Sequence, residues 1–200
     1  MTAQRRLSDA IARIPAAAWP LALPLALALQ AGVLLAMGRN PTCACGTIRL
    51  WQGDIFSSEN SQQIFDWYSF THVLHGLWLY VLVWLIARRA PAGARLALAL
   101  VGEAGWEILE NTDFVIDRFR ASGTAAGYVG DSVVNSLADT VSMTVGFWLA
   151  RILPPWASIG IGAAIELALG YLIRDNLFFS ILMLIYPFEG IKAWQTALPG

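Results

Sequence analysis

Two apolar segments of the sequence carry ionisable side chains at helical spacing, the first sign of chemistry in the chain. In one segment, Glu103, Glu107 and Glu110 follow each other at intervals of four and three residues. In the other, His72 and His75 are three residues apart. Residues three or four apart lie on one face of an α-helix, so each segment predicts a helix with a single polar stripe.

A further stripe consists of Asp131, Asn135 and Asp139, which are spaced four residues apart. Imidazole together with carboxylate suits Zn, Mn or Fe, whereas Ca prefers oxygen ligands alone. The predicted ligands of a divalent cation come from all three segments: His72, His75, Glu107 and Asp131. The remaining acids are predicted to act as general acids or bases: Glu103, Glu110 and Asp139.

A structural role is the alternative for each of these residues taken singly. A carboxylate in an apolar segment can pair with Arg118 or Arg174 and thereby fix the register of two helices. Glu166, the only acid of its segment, is interpreted as a structural partner and not as a catalyst. Collectively, so many acids favour a function, because each carboxylate in a bilayer centre costs at least about 2.5–3.5 kcal/mol.

The composition indicates the kind of protein that holds these stripes. Hydrophobic residues make up 57% of the 200 residues and charged residues only 14%, whereas soluble domains carry about 25% charged residues. The formal net charge of −1 provides no basic excess for a nucleic acid partner. These values exclude a disordered chain and a nucleic-acid-binding protein, and they predict a protein embedded in the lipid bilayer.

Six segments are predicted to cross the membrane, since a helical crossing takes about 20 mostly apolar residues. They cover approximately residues 19–37, 69–87, 96–115, 131–150, 157–173 and 177–186. The sixth segment is short and predicts either a partial or a tilted crossing. The fold class is therefore all-α, a polytopic helical membrane bundle in which residues 1–200 form a single domain.

Basic residues in short connections predict the orientation of the bundle, because they concentrate on the cytoplasmic side. One side receives Arg5, Arg6, Arg13, Arg88, Arg89, Arg95, Arg151 and Lys192. This distribution places both termini in the cytoplasm and residues 38–68 in an extracytoplasmic loop. At about 1.5 Å per residue, the three polar stripes then reach one level in the outer half of the membrane. The sequence thus predicts a polar pocket that opens outwards.

The outer loop contains Cys43 and Cys45, separated by a single residue. A disulfide and two unpaired thiols are both compatible with this spacing. The same loop is rich in polar and aromatic side chains.

Several short motifs resemble those of one bacterial family. They are CACG at 43–46, SENSQ at 58–62, DWY at 66–68, HVLHG at 72–76, WEILENT at 106–112, GDSVVNS at 130–136 and IRDN at 173–176. They look like uncharacterised protein family 0314 (domain of unknown function 2585), a family of bacterial multi-pass membrane proteins. The element around Asp131 and Asn135 is also weakly similar to VanZ-like membrane proteins. The resemblance implies an integral protein of the bacterial inner membrane and brings no established activity.

Three classes of function fit these observations. The first is a cation-dependent enzyme acting on a lipid or envelope headgroup, with the lipid bilayer as its surroundings. The second is a proton- or cation-coupled transporter that uses the carboxylates as a relay, although the sequence lacks the inverted repeat typical of transporters. The third is a membrane scaffold or assembly protein whose polar stripes only hold helices together.

Overall fold

The computed structural model describes residues 16–121 and 123–197, in which eight α-helices form the fold. The basic residues Arg5, Arg6 and Arg13 lie outside this part of the chain. A short 3-10 helix, Ala16–Leu21, leads into the first α-helix. The α-helices are α1 (Ala22–Ala36), α2 (Ser69–Ile86), α3 (Ala92–Glu110), α4 (Asp113–Arg120), α5 (Val133–Ile152), α6 (Pro155–Leu172), α7 (Leu177–Ile185) and α8 (Glu189–Thr196).

Three helical stretches in the described part of the chain are both long and apolar enough to cross a membrane. They are Ala18–Ala36, Ser69–Ile86 and Pro155–Leu172. Helices α3 and α5 reach a similar length, 19 and 20 residues, but carry ionisable side chains that they bury within the bundle. Helix α7 has nine residues and extends about 13 Å, too little to cross a bilayer by itself.

The apolar surface of α1 and α6 explains why these helices suit a lipid environment. Helix α6 buries only Leu169 and exposes large apolar side chains such as Ile159 and Leu167. Helix α1 similarly buries only Gln30 and Leu34. A helix that is apolar on all sides is typical of a membrane crossing, because its surface is solvated by lipid.

Helices α2 and α5 pack closely together, and glycine permits their approach. A Cβ atom on Gly146 would lie 2.0 Å from the carbonyl oxygen of Val73. A Cβ atom on Gly76 would lie 2.0 Å from the carbonyl oxygen of Met143. Small residues let helix backbones meet in this way, and the contact brings the polar stripes of α2 and α5 face to face.

The polar stripe of α3 ends where the helix ends. The predicted segment 96–115 continues further, but the α-helix stops at Glu110 and α4 starts at Asp113. The Asn111 side chain donates a hydrogen bond to the carbonyl oxygen of Glu107, and the Thr112 hydroxyl donates to that of Leu109. These side-chain bonds add to the backbone bonds from Asn111 N to the Glu107 carbonyl oxygen and from Thr112 N to the Leu109 carbonyl oxygen, which close the last turn.

The side chain of Glu166 in α6 holds the start of α7. The Glu166 carboxylate accepts hydrogen bonds from the backbone amides of Leu177 (3.1 Å) and Phe178 (3.3 Å). The side chain of Asn176 caps the N-terminus of α7 by accepting a hydrogen bond from the backbone amide of Phe179. The structural role predicted for Glu166 is therefore confirmed.

The loop between α1 and α2 contains a small parallel ladder of β1 (Trp51–Gln52) and β2 (Phe65–Asp66). Trp51 lies opposite Phe65 in this ladder. Cys43 and Cys45 form a disulfide, which decides between the two alternatives left open by the sequence. The ladder ends at Asp66, directly before the helix that carries both histidines.

Candidate metal centre

Glu103 lies between the two histidines of α2. Its Oε1 atom is 2.6 Å from His72 Nδ1, and its Oε2 atom is 3.2 Å from His75 Nδ1. The carboxyl group is 1% exposed, so its contacts with the two imidazoles are sheltered from solvent. An ionised carboxylate only accepts hydrogen bonds, so the contact with Glu103 places a proton on Nδ1 of His72. The lone pair on Nε2 of His72 is then free to bind a metal.

A second contact of His72 involves α3 and α5 together. His72 Nδ1 is 3.2 Å from Glu107 Oε1, and His72 Nε2 is 3.9 Å from Asp139 Oδ2. One ligand atom from each of these three residues lies within 4.8 Å of the other two. All three side chains are buried. The three helices therefore meet in a group whose size and atom types fit a transition metal.

These groups and a neighbouring one share residues and form one cluster, which consists of His72, His75, Glu103, Glu107, Glu110, Asp131 and Asp139. Three carboxylate oxygens of this cluster are buried without a hydrogen-bond partner among the described residues. They are Oε1 of Glu107, Oδ1 of Asp139 and Oε2 of Glu110. A buried carboxylate oxygen normally accepts hydrogen bonds or binds a cation, because desolvation without compensation is costly. The arrangement thus leaves room for a positively charged ligand.

The other oxygen of Glu107 is held by a chain of hydrogen bonds. Ser136 Oγ donates to Glu107 Oε2 at 2.6 Å and itself accepts from Gln30 Nε2 at 2.7 Å. Thr140 Oγ1 donates to Gln30 Oε1 at 2.8 Å, which orients the amide. Because each hydroxyl donates in a defined direction, Glu107 Oε2 remains a hydrogen-bond acceptor. The other oxygen, Oε1, faces His72.

Gln30 is a residue that the sequence reasoning missed. It is fully buried in the bundle and is the one strongly polar side chain in α1. That isolation in an apolar helix was the available signal, because a polar side chain in a crossing helix needs a partner.

Asp131 lies at the entrance of the cluster and is firmly oriented. Its Oδ2 accepts a hydrogen bond from Asn111 Nδ2 (2.8 Å) and its Oδ1 from the Tyr128 hydroxyl (2.9 Å). Asp131 also forms a group with Glu107 and Glu110, again with one ligand atom of each within 4.8 Å of the others.

Two further buried acids support the loops around the cluster. Asp66 accepts hydrogen bonds from the amides of Ser61 and Tyr68. Asp175 accepts from the hydroxyls of Thr124 and Tyr68. Burial raises the pKa of both carboxyl groups, and their donors oppose that rise. Neither acid was among the predicted site residues, although both occur in the family-like motifs.

The arginines considered as structural partners bind elsewhere. Arg118 donates to the carbonyl oxygen of Leu184 at the end of α7, and Arg174 donates to that of Trp194 in α8. Within residues 16–121 and 123–197, no arginine or lysine forms an ion pair with an acid of the cluster. Arg39 attracts Asp131 without forming an ion pair, and the remaining negative charge of the cluster is balanced by its histidines, by protons or by bound cations.

A cavity of about 200 Å³ adjoins the cluster and has two unlike walls. The polar wall includes His72, His75, Glu110, Asp131 and Asp139. The apolar wall is formed mainly by Phe119 and the α7 side chains Leu177, Ile181, Met183 and Leu184, and Asp175 and Ser180 also line the cavity on this side. A pocket with one charged and one apolar side fits an amphiphilic ligand.

All seven predicted site residues lie in one cluster, but the predicted ligand set does not form one group. His72 joins Glu107 and Asp139, and it also forms a group with His75 and Glu103. Asp131 belongs instead to the group of Glu107 and Glu110. Asp139 and Glu110, predicted as acids or bases, thus have positions that suit ligands.

The chain was compared with known proteins. The family described as "Protein of unknown function (DUF2585)" matches residues 34–197. A UPF0314 protein of Paracoccus denitrificans is 48% identical over 87% of this chain and 90% of its own length. UPF0314 proteins of Rhizobium johnstonii and Sphingopyxis alaskensis are also 48% identical, over 88% and 89% of this chain and 91% and 94% of their own lengths. No solved structure is significantly similar. The family match and the extent of these similarities confirm the resemblance noted in the motifs, and the chain belongs to the DUF2585 family.

Proposed function

We propose that this protein is a membrane-embedded enzyme that uses a divalent cation to act on the headgroup of a lipid or another envelope amphiphile. The observation that carries the proposal is the convergence of His72, Glu107 and Asp139 from three helices. Two of these residues contribute buried oxygens that lack a hydrogen-bond partner in the described part of the chain. A cation bound there would satisfy both oxygens together.

Zn, Mn or Fe fits these ligands best, since one is an imidazole and two are carboxylates. His72 would bind through Nε2 while Glu103 holds its Nδ1, an arrangement typical of histidines that bind metals. Ser136 and Gln30 would orient Glu107 from behind. A bound cation would supply a Lewis acid and an activated water molecule.

The two walls of the cavity support an amphiphilic substrate. Carboxylates repel an anionic headgroup unless a cation lies between them, so the polar wall favours a cation-bridged headgroup. The apolar wall formed by Phe119 and α7 suits the hydrocarbon part of the same molecule.

His75 is the proposed general acid or base. Its Nδ1 is oriented by both oxygens of Glu103, at 3.3 and 3.2 Å, and its ring lines the cavity. The sequence alone assigned His75 to the ligands. Its place outside the group of His72, Glu107 and Asp139 favours the acid–base role.

Headgroup release tests the enzyme directly. We expect purified protein in vesicles of phosphatidylethanolamine, phosphatidylglycerol and cardiolipin to release a headgroup product only when Mn²⁺ or Zn²⁺ is added, as measured by mass spectrometry. His75→Ala should retain the metal and react about 10²–10⁴-fold more slowly. The control Glu166→Gln, which alters an acid outside the cluster, should react at the wild-type rate. Metal binding without any headgroup release would contradict the enzyme and favour transport or scaffolding.

The proposal includes an outward-facing pocket in the bacterial inner membrane, with residues 38–68 outside. Five of the six predicted segments would cross, because α7 is too short and the bond from Arg174 to Trp194 holds α8 at the outer end of α6. Ser58 is exposed in the loop that this orientation places outside, and Arg89 is exposed on the opposite side. In intact cells, we expect Ser58→Cys to react with a membrane-impermeant maleimide and Arg89→Cys to react only after permeabilisation. The wild type serves as the unlabelled control, because its two cysteines are bonded to each other. The reverse labelling pattern would invert the orientation.

A further inference from the structure

Glu107 belongs to two ligand groups at once. It joins His72 and Asp139 on one side and Glu110 and Asp131 on the other. A carboxylate has two oxygens and about four lone-pair sites, so one Glu side chain can serve two cations. Glu107 is 1% exposed, and its Oε1 lacks a hydrogen-bond partner in the described part of the chain.

The second group has its own signs of a missing positive charge. Oε2 of Glu110 is buried without a well-aligned hydrogen-bond donor, although the Trp106 side chain lies close enough to interact with this carboxyl group. Asp131 is oriented by Asn111 and Tyr128, and each of its oxygens keeps a lone pair after accepting one hydrogen bond. Metal-binding carboxylates are commonly oriented in this way by neighbouring donors.

The charge balance of the cluster also supports a second cation. The cluster contains five carboxyl groups: Glu103, Glu107, Glu110, Asp131 and Asp139. One divalent cation at His72, Glu107 and Asp139 would offset two negative charges and leave Glu110 and Asp131 without a directly paired cation, although Arg39 attracts Asp131 from outside ion-pair distance. A cation bound between Glu110 and Asp131 would offset two more.

We propose that Glu107, Glu110 and Asp131 bind a second divalent cation, with Glu107 bridging the two ions. This inference rests on the proposed function, because it assumes a first cation at His72, Glu107 and Asp139. In proteins, paired cations about 3.5–4 Å apart commonly bind a phosphoryl oxygen between them and stabilise both the attacking and the leaving oxygen. The substrate class is then a phosphate-bearing headgroup at the polar wall of the cavity.

Metal stoichiometry and magnetic coupling test the proposal. Full-length protein in detergent is loaded with Mn²⁺ and dialysed, its metal content is determined by elemental analysis, and its electron paramagnetic resonance spectrum is recorded. We expect two Mn²⁺ per chain and the broadened spectrum of an exchange-coupled pair. Glu110→Gln should bind one Mn²⁺ and show the hyperfine-split spectrum of an isolated ion. Asp131→Asn serves as a second variant at the same group, and Glu166→Gln should retain the coupled pair.

The possible results separate this inference from the proposed function. One Mn²⁺ per wild-type chain, lost in His72→Ala, would overturn the second site and leave the first intact. Two uncoupled ions would overturn the bridging role of Glu107. Absence of bound Mn²⁺, Zn²⁺ and Fe²⁺ would overturn both proposals.

Discussion

Replacement of Gly146 by alanine is expected to prevent folded protein from accumulating in the membrane. The added Cβ would lie 2.0 Å from the carbonyl oxygen of Val73, and the next-nearest atoms also belong to the α2 backbone. Backbone atoms in a packed helix cannot move aside individually, so α2 and α5 would have to separate. We expect a loss of more than about 4 kcal/mol in the free energy of unfolding, as for severe overpacking.

Gly105→Ala is the matched control. Gly105 lies in α3, is exposed, and has open space where a Cβ would be placed. Alanine is favoured over glycine in a helix by about 1 kcal/mol, so this variant should be as stable as the wild type or slightly more stable. Membrane yield and thermal unfolding in detergent measure both variants. Equal melting temperatures for Gly146→Ala and Gly105→Ala would show that the helices are not in such close contact.

Removal of the proposed cation is expected to lower the melting temperature of the purified protein by about 10 °C. A ligand at about 1,000 times its dissociation constant stabilises the folded state by about 4 kcal/mol, and each kcal/mol shifts the melting temperature by about 2–4 °C in a chain of this size. Addition of EDTA should produce this decrease, and Zn²⁺ or Mn²⁺ should reverse it. Differential scanning fluorimetry in detergent provides the measurement.

Glu107→Gln tests whether the decrease in melting temperature on addition of EDTA originates in the cluster. Glutamine has the same shape as glutamate and can still accept the hydrogen bond from Ser136, but it lacks the charge that attracts the cation. Its melting temperature should therefore be insensitive to EDTA. Glu166→Gln should keep the full response, since Glu166 only caps α7. An unchanged wild-type curve with EDTA, together with no co-purifying metal, would leave protons as the compensating charge.

The predicted site residues converge in the structure, so helical periodicity was sufficient to select them. The stripes in 69–87, 96–115 and 131–150 were recognisable because three- and four-residue intervals place side chains on one helix face. The structure brings all three stripes into one cluster. The apolar runs at Ala18–Ala36, Ser69–Ile86 and Pro155–Leu172 were likewise recognisable from length and composition.

Periodicity does not specify which atoms of two helices meet. The position of Glu103 between His72 and His75 depends on the rotation of α3 against α2, and that rotation is set by packing. The end of α3 at Glu110 coincides with side-chain hydrogen bonds from Asn111 and Thr112 to carbonyl groups of its last turn. Such local competition between side chain and backbone is difficult to recognise in an apolar sequence.

The sequence by itself therefore determined the all-helical fold class, the stripes and the residue types of the cluster, because composition and helical spacing are local properties. Only the tertiary structure decided the groups within that cluster. Gln30 reaches Ser136 across 106 positions of the chain. Arg118 and Arg174 bind carbonyl groups instead of the acids that they were considered to neutralise. These contacts arise from the packing of helices that are distant in sequence, and no local pattern encodes the distances between them.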